Sequence, residues 1–200
     1  SPSTLLWMGH RMLKTDPSAA QNAFLTILSQ YPESDVVFST YLALGDVANE
    51  RSDYQTALSY YQSAELNFPA EEEVYRAIIK QGDAYFALGR YLEARDVYRQ
   101  IQGNREWRGA PLAEALFKMG DAFAAENKFE EAIQTWKSVY IGLVGVRQWA
   151  GQAYLEAGRA MERLGRLDEA REVYNEFLNN PNFKDLDVYA QVEQAHQSLQ

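Results

Sequence analysis

The sequence of 200 residues contains no cysteine, which excludes disulfides, thiol catalysis and thiolate metal ligands. Its two histidines, His10 and His196, lie near opposite ends of the chain and form no metal-binding pair. No apolar run approaches the roughly 20 residues of a membrane span. Basic residues are fewer than acidic ones, which gives a formal net charge of −9. This charge argues against nucleic acid as a partner.

Sequence signatures of catalysis are missing as well. The chain has no nucleophile elbow, and its repeated glycines are isolated rather than grouped into a phosphate-binding loop. The acidic runs at 71–73 and 130–131 stand at predicted helix starts, where carboxylates favour the helix dipole. The sequence therefore predicts no catalytic residue, no metal site and no cofactor.

Glycine, by contrast, is present in a regular pattern. Five glycines recur every 36 to 38 residues in similar surroundings: Gly9, Gly45, Gly82, Gly120 and Gly158. A period of this length is typical of a stacked array of helical repeats rather than of one closed globule. Apolar residues stand four before and three after each glycine, which places them on one helix face. Stop signals such as Asp16-Pro17 and Leu88-Gly89 then separate this helix from a second one.

The position of these glycines inside helices calls for a packing reason, because glycine there is about 1 kcal/mol less favourable than alanine. We expect each glycine to let the partner helix approach closely, with an alanine of that helix, such as Ala57 or Ala132, facing it. The aromatic residue four positions later, such as Tyr61 or Trp136, is expected to fill the space between one repeat and the next.

Four sequence runs around these glycines resemble the tetratricopeptide repeat over about residues 3 to 180. They are Tyr41-Leu-Ala-Leu-Gly-Asp, Ile78-Ile-Lys-Gln-Gly-Asp-Ala-Tyr, Leu116-Phe-Lys-Met-Gly-Asp-Ala-Phe and Tyr154-Leu-Glu-Ala-Gly-Arg. The resemblance implies an all-α fold, a right-handed superhelical solenoid of antiparallel helix pairs. We predict a single array over residues 1–200, with repeats at about 1–32, 35–69, 72–104, 111–143 and 147–180 and a capping helix at 185–199.

The resemblance also implies that the first helix of each repeat lines a concave groove. Residues three before the glycine would form an apolar floor: Leu42, Ile79, Phe117 and Leu155. Residues one after it would form a polar row: Asp46, Asp83, Asp121 and Arg159. Residues four after it would add Asn49 and Phe86. Such a groove would suit a protein or peptide partner with basic and apolar residues.

Each of these features has a second interpretation. The apolar row can instead pack neighbouring first helices together, and the aspartates can serve local hydrogen bonds. Trp107, which stands among charged residues, is either an exposed interface anchor or a ring that seals a long connection. The apolar segment 141–146 is either a packed helix end or an exposed edge.

These observations predict a non-catalytic scaffold that binds a peptide or a partner domain in its concave groove. One alternative is a structural homodimer, formed through the apolar N-terminal end at Leu5–Met8 or through segment 142–146. Another is a helper segment of a larger envelope-associated protein. The long connections between repeats are similar to those of bacterial envelope proteins, which favours the bacterial periplasm or envelope over the cytoplasm.

Overall fold

A computed structural model describes residues 1–199, which are built from α-helices joined by short turns. The described residues form eleven α-helices: α1 (Pro2–Met12), α2 (Pro17–Gln30), α3 (Val37–Glu50), α4 (Tyr54–Asn67), α5 (Val74–Ala87), α6 (Tyr91–Gly103), α7 (Ala110–Ala125), α8 (Phe129–Gly142), α9 (Arg147–Arg163), α10 (Leu167–Leu178) and α11 (Tyr189–Gln197). Two 3₁₀ helices lie at Arg105–Trp107 and Pro181–Phe183. The all-α class is confirmed. Contacts pair α1 with α2, α3 with α4, α7 with α8 and α9 with α10, and the bounds of the five repeats stay a prediction.

Contacts between helices divide the predicted array into two compact units. The first unit is Ser1–Val97, and the second begins at Tyr98. The boundary lies inside α6, so it does not coincide with the end of a repeat. Each unit is described by itself below.

The turn between the two helices of a repeat has the same backbone form in four repeats. Its central residue, seven positions after the aligned glycine, has a positive φ: 59° at Ser52, 73° at Gly89, 59° at Asn127 and 73° at Gly165. The next backbone N–H then donates to the last turn of the first helix, as from Asp53 to the Ala48 carbonyl at 2.9 Å. This geometry is the Schellman cap, which satisfies carbonyls at a helix end. The two helices are therefore joined with little freedom between them.

In the first unit, each helix from α1 to α4 packs against the next one along the chain. Its core contains Phe24 and Ile27 from α2 and Leu44 and Val47 from α3, all of them buried. Asp16 caps α2 by accepting from the Ala19 N–H at 2.9 Å. The first repeat thus replaces the left-handed turn residue with an aspartate cap followed by a proline.

In the second unit, α7 to α10 pack in sequence and α11 packs on α9 and α10. The predicted capping helix is shorter than expected, since α11 begins at Tyr189 rather than at residue 185. Leu186 and Val188 are buried ahead of the helix instead of belonging to it. A Cβ at Gly151 of α9 would lie 2.9 Å from Leu186 Cδ1, so this glycine makes room for the segment.

Candidate functional site

Contacts between a glycine and an aromatic ring fix the helix pairs that carry the candidate site. A Cβ at Gly45 would lie 2.6 Å from Tyr61 Cδ1, and one at Gly120 would lie 2.6 Å from Trp136 Cδ1. Gly9 meets Phe24 and Gly158 meets Tyr174 in the same way. The ring therefore packs within its own repeat and occupies the space that the missing side chain leaves. Our expectation that an alanine faces the glycine is wrong, because the ring takes that place. The Tyr61 ring also contacts the next repeat, since Lys80 Nζ lies 5.6 Å from its centroid, as expected for a ring between repeats.

In the second repeat, the polar edge of this ring engages the first aspartate of the predicted row. The Tyr61 hydroxyl donates to Asp46 Oδ1 at 2.8 Å, and Lys80 Nζ donates to the same oxygen at 2.7 Å. Burial raises the pKa of Tyr61 above its ordinary value, and the nearby Asp46 carboxylate raises this pKa further. Asp46 thus serves the local hydrogen bonding that was the alternative to a ligand-binding role.

In the fourth repeat, the ring is an indole and its polar atom points to the backbone. Trp136 Nε1 donates to the Phe117 carbonyl at 3.1 Å. The fifth repeat has a tyrosine again, and the Tyr174 hydroxyl donates to Glu162. The aromatic position therefore has one packing role but three different polar partners.

The apolar row of the predicted groove is not an open floor. Leu42, Ile79, Phe117 and Leu155 are all buried. Phe117 contacts the rings of Trp136 and Trp149, with centroids 6.4 and 5.3 Å apart. This burial matches the alternative in which the row packs helices together.

The remaining predicted residues differ in exposure. Asn49 and Arg159 are exposed, whereas Asp46, Asp83, Phe86 and Asp121 are half-buried. The Phe86 ring lies edge-on to Tyr91 at 5.1 Å, so part of its surface is used within the first unit. Of this set, the second unit brings Asp121 and Arg159 into one cavity.

That cavity has a volume of about 280 Å³ and lies between α7 and α9. Its charged lining comes from Asp121, Glu156, Arg159 and Arg163, and its aromatic wall comes from Phe129 and Trp136. Ala124, Ala125 and Ala160 complete the lining. Arg159 Nη1 donates to Glu156 Oε1 at 2.8 Å, and the Arg163 guanidinium lies 5.5 Å from the Phe129 ring centroid. The cavity thus combines both signs of charge with an apolar wall.

A second cavity, of about 220 Å³, lies nearer the N-terminal end of α9 and is also lined by Glu156. Phe117, Leu155 and Val188 give it an apolar base, and Asp187 adds a carboxylate. Gln148, Gln152 and Gln191 provide three side-chain amides. Because Glu156 belongs to both cavities, we call them together the α9 groove.

Sequence reasoning missed part of this groove. Arg163 stands four residues after Arg159, so helical spacing puts both on one face of α9. Gln148 and Gln152 have the same spacing. The resemblance directed attention to three positions per repeat, and Arg163, Gln148 and Gln152 lie outside them. A search for polar residues at spacing four along α9 would have found them.

Two features outside the groove are also placed by the structure. Trp107 is half-buried in its 3₁₀ helix, and its role as interface anchor or as seal stays a prediction. In segment 141–146, Ile141 is 55% exposed and Val144 is 43% exposed, which matches the exposed edge. Within residues 1–199, no helix has the length and apolar character to cross a membrane, and no three histidine or carboxylate side chains cluster as a metal site.

The sequence matches the tetratricopeptide repeat family over residues 42–111, 79–144 and 152–182. Solved crystal structures give the same picture. A tetratricopeptide repeat protein from Parabacteroides merdae is 16% identical, with a TM-score of 0.71 over 99% of this chain and 72% of that one. MamA protein is 19% identical, with a TM-score of 0.65 over 87% of this chain and 88% of that one. A thermophilic repeat protein from Thermus thermophilus is 19% identical, with a TM-score of 0.62 over 98% of both chains. Identities this low show the fold alone.

Proposed function

Because the chain belongs to the tetratricopeptide repeat family, we propose that it is a non-catalytic scaffold that binds a peptide or a partner domain in the α9 groove. Proteins of this family generally mediate protein–protein interaction and are typically non-catalytic. One observation carries the proposal for the groove. Asp121 and Arg159, both predicted from the sequence as groove residues, lie in one cavity with an aromatic wall.

The chemistry of the groove suits a polypeptide ligand. The wall of Phe129 and Trp136 can cover an apolar or aliphatic part of a side chain, while the charges beside it fix its orientation. In the described part of the chain, the amides of Gln148, Gln152 and Gln191 make no hydrogen bond. Each side-chain amide carries both donors and an acceptor, so it can pair with the backbone of a bound peptide.

The basic and apolar character of the partner stays a prediction from the row Asp46, Asp83 and Asp121. The positions of these aspartates in the structure suggest that they would contribute unequally to ligand binding. Asp121 lines the first cavity of the α9 groove, whereas Asp46 belongs to the first unit and lines neither cavity of this groove. We therefore expect Asp121 to contribute more to binding than Asp46.

Site-specific photocrosslinking in the native source tests the proposal. A photoreactive phenylalanine analogue replaces Arg159 in the groove or, as a matched control, Glu131 on the exposed side of α8. We expect a protein that crosslinks at position 159 and not at position 131, because a docked chain lies over the cavity. The identified partner is then prepared, and its affinity for the wild type is compared with that for Asp121→Asn and Asp46→Asn.

We expect the Asp121→Asn change to weaken partner binding several-fold, by about 1 kcal/mol, and the Asp46→Asn change to have a smaller effect. The same crosslinked proteins at both positions would argue against the groove. So would an affinity that neither substitution changes.

Self-assembly is the second function that an observation favours. Trp7 and Met8 on α1 are 59% and 42% exposed, so two neighbouring apolar side chains are available for a second copy to cover. Light scattering separates the two functions. A mass of 22.8 kDa favours docking of a different protein, and twice that mass favours the homodimer.

A further inference from the structure

The geometry points to a subsite for the side-chain carboxylate of an internal glutamate or aspartate of the bound peptide, with Arg163 as its anchor. This inference rests on the proposed function, because it names the chemistry that the first cavity of the α9 groove recognises. It differs from the prediction for the aspartate row, which concerns basic residues elsewhere on the same ligand.

The first step concerns the pairing of arginines around the groove. Five arginines lie between residues 147 and 171, and four of them pair with carboxylates: Arg147 with Asp185, Arg159 with Glu156, Arg166 with Glu130 and Glu169, and Arg171 with Asp168. Among the residues that the structure describes, Arg163 has no carboxylate partner. Its guanidinium lines the cavity and is exposed there.

The second step concerns orientation. The Arg163 guanidinium lies 5.5 Å from the Phe129 ring centroid, within the range of a cation–π contact. Stacking on a ring uses the flat face of a guanidinium and leaves the N–H donors at its edge, which can take a carboxylate in a bidentate pair. The contact with Phe129 thus places the Arg163 guanidinium beside the cavity wall and is compatible with N–H donors that are open to a carboxylate.

The third step concerns the other charges in the cavity. Asp121 and Glu156 are balanced in formal charge by Arg159 and Arg163, so the local sum does not repel an incoming carboxylate. Glu156 is occupied by Arg159. Of the two arginines in the cavity lining, Arg163 is thus the one whose N–H donors can bind a ligand carboxylate.

The last step separates a side chain from a chain end. Glu156 lines both this cavity and the second cavity with its three glutamines, and Arg163 lies at the opposite, C-terminal end of α9. Because Arg163 is exposed there, a peptide that lies along both cavities can continue beyond it into solvent. This favours a carboxylate inside the peptide over one at its C-terminus.

Defined peptide libraries test the subsite on the whole chain. Nonapeptides with amidated C-termini carry Glu, Gln or Lys at the centre and apolar, uncharged polar or basic residues elsewhere. The best binders are remade with each central residue and measured by fluorescence anisotropy. We expect the wild type to prefer Glu over Gln by about tenfold, since one charge-assisted pair is lost with Gln. Arg163→Gln should reduce this preference to about twofold or less, and Arg163→Lys should give an intermediate value.

The matched control is Arg76→Gln, which removes an exposed arginine from α5 in the first unit and changes the net charge equally. It should retain the preference for Glu. Loss of the preference in both variants would assign it to overall charge and overturn the subsite. Equal binding of Glu and Gln peptides by the wild type would also overturn it while leaving peptide docking intact.

Two further arms complete the test. Peptides with central Gln and a free C-terminal carboxylate should bind no better than their amidated forms. Binding that depends on the free end would contradict an internal carboxylate. If no peptide of any library binds, docking in the groove fails and the subsite fails with it. Circular dichroism of each variant, which should match the wild type, excludes loss of folding as the cause.

Discussion

The second and fourth repeats use the same packing contact with different polar results. In both, an aromatic ring of the second helix lies on a glycine of the first, Tyr61 on Gly45 and Trp136 on Gly120. The Tyr61 hydroxyl reaches Asp46, whereas the Trp136 indole N–H reaches the Phe117 carbonyl. The equivalent of Asp46 in the fourth repeat is Asp121, which lines the groove cavity.

This difference shows that the aromatic position affects two properties, the approach of the two helices and the hydrogen bond that the ring makes. The ring sets how closely the helices approach, and that requirement is met by tyrosine, tryptophan or phenylalanine alike. The polar atom of the ring selects its own hydrogen-bond partner, which is the Asp46 carboxylate for the Tyr61 hydroxyl and the Phe117 carbonyl for the Trp136 indole N–H. A change of aromatic residue can therefore change the polar partner of the ring without changing its packing on the glycine.

The largest expected effect comes from closing the space on which both repeats depend. Replacing Gly45 or Gly120 by alanine should destabilise the protein by about 2 kcal/mol, although alanine favours the helix by about 1 kcal/mol. The reason is that the new Cβ meets a ring that is almost fully buried and cannot move aside. Urea unfolding followed by circular dichroism measures the change.

Gly142 provides the control for these two variants. It is the last residue of α8, and a Cβ there would meet nothing within 4 Å. Gly142→Ala should leave stability unchanged or raise it by up to about 1 kcal/mol. If Gly45→Ala or Gly120→Ala behaves like Gly142→Ala, the ring does not pack on the glycine as described. The two repeats would then not share this packing contact.

A smaller effect is expected when the tyrosine–aspartate link of the second repeat is removed. Tyr61→Phe keeps the ring and deletes the hydroxyl that donates to Asp46, so it should cost about 1 kcal/mol in unfolding free energy. The neighbouring Tyr60→Phe is the control, because the Tyr60 hydroxyl makes no hydrogen bond within residues 1–199. We expect it to change stability by less than about 0.5 kcal/mol. Equal effects of the two changes would contradict the link.

The same variant should alter the response to alkaline pH. The pKa of Tyr61 is raised in the folded state from an ordinary value of 10.0, so folding favours the protonated hydroxyl. Its contribution is complete below about pH 10 and declines as the pH rises above that value. Tyr61→Phe should therefore show a shallower loss of stability than the wild type in this alkaline range, as measured by urea midpoints at successive pH values.

The fold could be predicted because its determinants recur along the sequence. The glycines, the turns after them and the aromatic positions repeat at one period, and each copy supports the others. The turn at Ser52 shows the limit of residue chemistry, because serine rarely adopts a positive φ and only its register with Gly89 and Gly165 indicates it. The start of α11 was misplaced because Leu186 fits a helical stripe but packs ahead of the helix.

The site could be predicted only in part, since side-chain pairing is not periodic. The sequence placed Asp46 and Asp121 as equivalents, but the ring fifteen residues later donates to Asp46 in one repeat and to the Phe117 carbonyl in the other. Arg163 differs from the arginines around it because those pair with carboxylates, and residue spacing does not reveal such pairing. The bacterial envelope as compartment and the basic character of the partner stay predictions, because neither depends on any contact described here.

The smallest expected effect measures how firmly the second repeat holds its aspartate. Lys80 Nζ lies 2.7 Å from Asp46 Oδ1, and both side chains are about one-third exposed. A double-mutant cycle with Asp46→Asn and Lys80→Gln should give a coupling free energy of about 0.5 kcal/mol, reduced in about 1 M salt by screening. The exposed pair Arg76–Glu73 is the reference and should couple more weakly. A coupling above about 1.5 kcal/mol would mean that Asp46 is unable to turn to a ligand. A coupling of zero would mean that Lys80 does not hold Asp46, which would return Asp46 to the ligand-binding row.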